Sequence, residues 1–152
     1  MISRIRLSKF LSFILRHGAL KYGLKPDPSA FVPVQDVVRI VKDRFKGIDK
    51  EDILRLVHTD PQGRFQIRAD KIRACYGHSI KVKPLGRGQI PDILFHGTSP
   101  HSVPGILKEG LKPQSRCFVH LCLDEKQALR VGRRKHSSPV ILKIKAREAQ
   151  RQ

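Results

Sequence analysis

A few histidines and arginines in short polar settings are the chemistry-bearing features of this 152-residue chain. The stretch Ile93-Leu94-Phe95-His96-Gly97-Thr98-Ser99 begins as an apolar run of β type and ends in a polar turn. His96 stands where such a strand finishes. Gly97 lets backbone come close to a ligand, and Thr98 and Ser99 add hydroxyls and amides. A second apolar run, Phe118 to Leu123, carries His120 in its middle and reads as a strand beside the first. Two histidines on neighbouring strands, one followed by Gly-Thr-Ser, make a cradle suited to a nucleotide. The competing reading is that each is a structural histidine with satisfied partners. Arg16-His17 closes a predicted helix upstream, with Arg16 opposite the apolar stripe. Cations favour a helix C-terminus electrostatically, which explains the charge but would accept Lys as readily as Arg.

The elements that must position these groups follow from periodicity. Leu7, Phe10, Leu11, Ile14 and Leu15 mark a helix over 5–17, with Gly18 as its stop. Val34, Val37, Val38 and Val41 mark a second over 34–45, broken by Gly47. Asp49 caps a third that runs to about Val57. Asp60-Pro61-Gln62-Gly63 is a turn, and 64–68 and 71–75 read as two strands around Ala69-Asp70. Three helices and a hairpin follow the order of a winged-helix module, though other small α+β domains share it. Pro84, Gly86, Gly88 and Pro91 suggest a linker. After Ile93 the pattern predicts a helix near 101–109 ended by Gly110, a helix capped by Asp124 and running to about Arg133, and a strand over 140–146. The division expected is a first lobe over 1–82, a linker over 83–92 and a small α/β lobe over 93–152.

Lys plus Arg number 31 against 13 acids, a formal charge of +18, and the cations are spread along the chain. Such a field recruits polyanions, nucleic acid first among them, through a folded basic face. With 6% aromatic residues and no Trp, stacking platforms are scarce, so binding should be electrostatic and weakly sequence-specific. No run approaches a membrane span, and the N-terminal segment lacks a clean signal-peptide core, so a soluble cytoplasmic protein is expected. Three cysteines without a secretory signal argue against a disulfide framework. Cys117, His120 and Cys122 lack the fourth ligand and the spacing of a zinc site, and no metal is expected.

Five ordered segments resemble the NAD-dependent RNA (tRNA) 2'-phosphotransferase family across nearly the whole chain. They are Leu7-Ser8-Lys9-Phe10-Leu11-Ser12-Phe13-Ile14-Leu15-Arg16-His17, Ile72-Arg73-Ala74-Cys75-Tyr76-Gly77-His78-Ser79, Phe95-His96-Gly97-Thr98, Phe118-Val119-His120-Leu121 and Val131-Gly132-Arg133-Arg134. The resemblance implies a winged-helix RNA-binding lobe followed by an ADP-ribosyltransferase-like lobe, NAD+ as co-substrate, and 2'-phosphorylated RNA, in particular tRNA, as partner of a monomeric enzyme. It implies Arg16, His17, Arg73 and Arg134 as the catalytic group. It places His96, Gly97, Thr98, Ser99, His120 and Leu121 on NAD+, and Lys9, Gly77, His78 and Ser79 on RNA phosphate. Two departures stand out. Lys135-His136-Ser137 replaces a tighter His-Gly turn, which makes Arg133 a rival of Arg134. The family also continues past a strand like 140–146 with further sheet and an Asn-Gly-Val-type segment absent from these 152 residues, so either a tail follows in the natural protein, and activity is expected to be impaired without it, or the nucleotide lobe is incomplete.

The implied reaction has an RNA 2'-phosphate oxygen attack the nicotinamide ribose and expel nicotinamide. The ribose 2''-hydroxyl then attacks phosphorus, releasing 2'-hydroxyl RNA and ADP-ribose 1'',2''-cyclic phosphate. An ionised phosphate needs positioning and neutralisation more than a base, which suits arginine's permanent charge and bidentate fork. His17 is the expected proton donor to the departing 2'-oxygen. If the three arginines converge, they do so between the lobes, since no single element carries all three. A non-catalytic winged-helix nucleic-acid binder and an ADP-ribosyltransferase acting on nucleic-acid ends are the alternatives.

Overall fold

The computed structural model describes residues 3–83 and 89–149. The expected linker glycines and Pro84 lie outside them. The chain forms two compact units: one of residues 1–85 with 115–117, the other of 86–114 with 118–152. Each mixes α and β.

The first unit opens with α1 (Arg4–Arg16), capped by the Ser3 hydroxyl, which accepts from the Arg6 amide. The helix ends at Arg16, one residue earlier than the periodicity predicts, with His17 as its C-cap, and the His17 and Gly18 amides both donate to the Phe13 carbonyl. A Cβ at position 18 would stand 2.8 Å from the Phe13 ring, which would have to shift to admit it. A two-residue strand, β1 (Val32–Pro33), leads straight into α2 (Val34–Arg44). α3 (Lys50–His58) begins at a reciprocal capping box between Asp49 and Asp52. β2 (Phe65–Arg68) and β3 (Lys71–Ala74) form the predicted hairpin, with Gln66 opposite Arg73. β1 adds to the far side of β3, giving an antiparallel sheet in the order β1-β3-β2. The periodicity did not reveal β1, because two residues carry no period. Leu7, Leu11, Ile14 and Leu15 of α1 meet the valines of α2, Ile53 and Leu56 of α3, and Phe65 and Ile72 of the sheet in one buried core.

The second unit is built on β4 (Ile93–Thr98) paired antiparallel with β5 (Val140–Lys145), His96 opposite Leu142. Between them come α4 (Val103–Glu109), ended at Gly110, and α5 (Glu125–Gly132), capped by Asp124. Lys145 passes directly into α6 (Ala146–Ala149). The strand expected around His120 is absent. Only Cys122 bridges to β4, exchanging two backbone bonds with Phe95 at 2.9 and 2.7 Å. The apolar run Phe118–Leu123 turns too soon into the Asp124 cap to extend that bridge into a ladder, and Phe118 and Leu123 are exposed.

Candidate functional site

In the first unit, Arg16 and His17 end α1, and Arg73 and the Gly77–Ser79 turn lie on and just beyond β3. The helix end and the turn are tied together. The Ser79 amide donates to the Arg16 carbonyl at 3.1 Å, and the Ser79 hydroxyl stands 2.9 Å from His17 Nδ1. The same hydroxyl lies 3.4 Å from the Arg16 carbonyl, and with Nδ1 engaged by Ser79, Nε2 is the ring nitrogen left for chemistry. Gly77 has φ +84, a left-handed turn that favours glycine.

The Arg16 guanidinium lies 4.8 Å from the centroid of the Tyr76 ring, held by its face. Its Nε and Nη2 are buried without hydrogen-bond partners, as is Nε2 of the buried His78. Arg73 is fixed differently. Its Nε donates to Gln66 Oε1 at 2.9 Å, its Nη1 to the Ser29 carbonyl at 3.4 Å, and its guanidinium lies over Phe31 at 5.1 Å. Burial, and then the charges of Arg16, Arg73, His17 and Arg116, push His78 down to about 4. Partial burial, followed by Arg116 and Arg16, also lowers the His17 pKa, and burial lowers that of Arg16 against the opposing influence of Tyr76. The neighbouring acid, Asp60, is already occupied by Arg64 at 2.6 Å. Among the described residues, then, Arg16, Arg73, His17 and His78 form a cationic cluster without a carboxylate, which is an anion-binding arrangement. Lys9 is exposed on α1 seven residues before Arg16, about 10 Å along the same face.

In the second unit, His96 Nδ1 donates to the His120 carbonyl at 2.9 Å, which fixes the proton on Nδ1 and leaves Nε2 as acceptor. The two histidines meet through a backbone carbonyl, not as paired rings on adjacent strands. Gly97 has a packing reason for its identity. A Cβ there would collide with the Ala128 carbonyl and stand 3.0 Å from Gly132 Cα, so α5 crosses β4 where both lack side chains. Thr98 ends β4, Ser99 Oγ lies 2.9 Å from Ser102 Oγ, and Leu121 is half-buried beside the Cys122 bridge. Arg133 and Arg134 are both exposed in the turn that continues from α5.

Three contributors escaped the sequence reading. Gln66 was accessible by counting back across the hairpin from Arg73. Tyr76 and Arg116 carried no local signal, since their places depend on tertiary packing.

The family profile described as "RNA 2'-phosphotransferase, Tpt1 / KptA family" matches residues 3–152. A protein of Thermococcus kodakarensis named as a probable RNA 2'-phosphotransferase is 41% identical over 145 residues, covering 94% of this chain and 80% of its own. Another of that designation from Archaeoglobus fulgidus is 40% identical over 146 residues, covering 95% of this chain and 67% of its own. One from Acetivibrio thermocellus is 34% identical over 152 residues, covering 98% and 84%.

Proposed function

The chain belongs to the RNA 2'-phosphotransferase (Tpt1 / KptA) family, and we propose that it removes the 2'-phosphate from RNA and transfers it to NAD+, giving 2'-hydroxyl RNA, nicotinamide and ADP-ribose 1'',2''-cyclic phosphate. The observation that carries this reading is the acid-free cluster of Arg16, His17, Arg73 and His78, with Arg16 Nε and Nη2 buried and unpartnered. Donors held in that state match a phosphate dianion, whose oxygens would satisfy them. The order α1, β1, α2, α3, β2, β3, with its three-stranded sheet, supports reading the first unit as a winged-helix RNA-binding lobe. The second unit is read as the ADP-ribosyltransferase-like, NAD+-binding lobe. Spliced tRNA is the proposed RNA, and the enzyme is proposed to be a cytoplasmic monomer without a metal. Among the described residues no helix is long and apolar enough to cross a membrane.

In this scheme Arg16 and Arg73 neutralise and orient the 2'-phosphate, each from a rigid mount. Lys9 and the Gly77–Ser79 turn hold flanking RNA phosphate. His17 is kept neutral in the free protein by burial and the neighbouring cations. A bound phosphate dianion reverses that electrostatic balance, so Nε2 acquires the proton it later gives to the departing RNA 2'-oxygen. Arg134 completes the catalytic group by family resemblance, with Arg133 its rival. His96, Gly97, Thr98, Ser99, His120 and Leu121 hold NAD+, with His96 Nε2 as an acceptor for a ribose hydroxyl. NAD+ supplies the electrophilic ribose carbon and the hydroxyl that takes the phosphate.

The test is incubation of the protein with a 2'-phosphorylated oligoribonucleotide, with and without NAD+. Loss of the phosphate only with NAD+, matched by released nicotinamide, is the expected result. Retained phosphate with intact RNA binding would instead identify a non-catalytic nucleic-acid binder.

A further inference from the structure

Residues Ser115–Cys117 belong to the first compact unit, although the residues on either side belong to the second. Three bonds pin this short strap to the turn that follows β3. The Cys117 amide donates to the His78 carbonyl at 3.1 Å, Cys117 Sγ to the Ile80 carbonyl at 2.9 Å, and Arg116 Nη1 to the Gly77 carbonyl at 2.7 Å. The Arg116 bond uses one of its guanidinium's five N–H groups. A Cβ placed on Gly77 would collide with Arg116 Nη1 and lie 3.5 Å from Arg16 Nη1, so the two guanidinium groups stand side by side over one turn. Neither forms an ion pair among the described residues. Arg116 acts on Arg16, His17 and His78 as a like charge, lowering the proton affinity of each.

A clamp that only held the Gly77 carbonyl would not need a full positive charge beside the Arg16 guanidinium. Like charges forced together without a counterion destabilise the free protein, and an anion between them reverses that effect. Arg16 Nε and Nη2, buried and unpartnered, are a second and independent sign of an anion here. We propose that Arg116 is a further anion-gripping residue, which holds with Arg16 a phosphate group over the Gly77–Ser79 turn. The inference rests on the phosphotransferase reading, under which this phosphate is the 2'-phosphate of the RNA.

The test compares two oligoribonucleotides of one sequence, one with a single internal 2'-phosphate and one with a 2'-hydroxyl there. Affinities are measured by fluorescence anisotropy at fixed salt. The unaltered protein should prefer the phosphorylated strand. R116Q should reduce that preference roughly tenfold, the loss expected for a charge-assisted contact, while binding of the 2'-hydroxyl strand changes far less. R116K should fall between, since it keeps the charge and loses the fork. If R116Q does not fold, R116K decides: a several-fold loss of preference supports the assignment and full preference overturns it. An unchanged preference in folded R116Q also overturns it, leaving Arg116 as a structural clamp. No preference in the unaltered protein would overturn the phosphotransferase reading, and this inference with it.

Discussion

Arg16, Arg73 and His78 hang on elements whose opposite faces are sealed in a core of α1, α2, α3 and the three-stranded sheet. His96, Thr98 and Ser99 hang on a two-stranded ribbon whose apolar residues, Leu94, Phe95, Leu142 and Ile144, are only half-buried. The second unit's fully buried positions among the described residues are small ones: Cys122, Ala128, Gly132 and Ala146. The first unit can fix long cationic side chains against aromatic faces because their stems rest on a rigid base. The second places its candidate groups through backbone bonds and glycine contacts, which need less core but hold only what the main chain itself positions. A two-stranded sheet gains little stability by itself.

The largest effect should separate the cores. Leu11→Ala removes a side chain with no exposed surface from the first unit and should cost about 2–5 kcal/mol. Leu142→Ala, half-buried on β5, should cost about half as much or less. Urea unfolding of both variants checks this, and equal losses would break the comparison.

The same contrast explains what was legible. Helices α1 to α3 are each bounded by a period and a cap, and the β2–β3 hairpin by its turn, so their positions could be read nearly to the residue. Strand β1 could not, since two residues show no alternation and its pairing with β3 is non-local. The run around His120 is as apolar as a real strand, and only the nearby Asp124 cap, itself readable, could have warned that it was too short. Arg16 and His17 were legible as a pair outside the apolar stripe. Their supports, Tyr76 and Arg116, were not, because stacking and strap contacts join residues far apart in the chain.

Acid should weaken the first unit through its buried histidine. His78 titrates at about 4 when folded, against about 6.5 when unfolded. Above 6.5 both states are neutral there and pH has no effect through this group. Between 6.5 and 4 the unfolded chain takes a proton that the folded one refuses, so stability falls across that window and levels off below it. The ceiling is about 3 kcal/mol, and the lowered pKa of His17 acts with the same sign. Urea midpoints measured from pH 7 to pH 4 should show the decline, and adding a 2'-phosphorylated oligonucleotide should lessen it. A flat profile would mean that the cationic surroundings do not bear on His78. Asp60, lowered by its bonds to Arg64, loses its contribution only at more acid pH.

Within the second unit, two glycines sharpen the point about backbone placement. Gly97→Ala must push α5 away from β4, because the new Cβ meets the Ala128 carbonyl, and should cost about 1–3 kcal/mol. Gly105→Ala, inside α4 with nothing within 4 Å of its Cβ, should be neutral or stabilising by up to about 1 kcal/mol. Thermal unfolding of the pair reads the difference. If Gly97→Ala is silent, the close crossing does not hold β4 in place.

The smallest difference tests whether guanidinium geometry, and not charge alone, distinguishes the cluster from the +18 background. Arg39 is an exposed arginine on α2, paired at 3.3 Å with Asp36 one helical turn away. Such a pair contributes little, and Lys can replace it. Arg16 lies over Tyr76 with two buried donors unpartnered, so Lys there keeps the charge but loses the planar stack and the fork. Arg16→Lys should lower kcat/KM roughly tenfold or more, corresponding to at least about 1.4 kcal/mol, while Arg39→Lys should leave it within about twofold. Both variants should unfold like the unaltered protein, which makes the kinetic difference interpretable. Equal activities in the two would mean that the cluster acts by net charge alone, and the first unit's rigid mounting of Arg16 would then have no catalytic consequence.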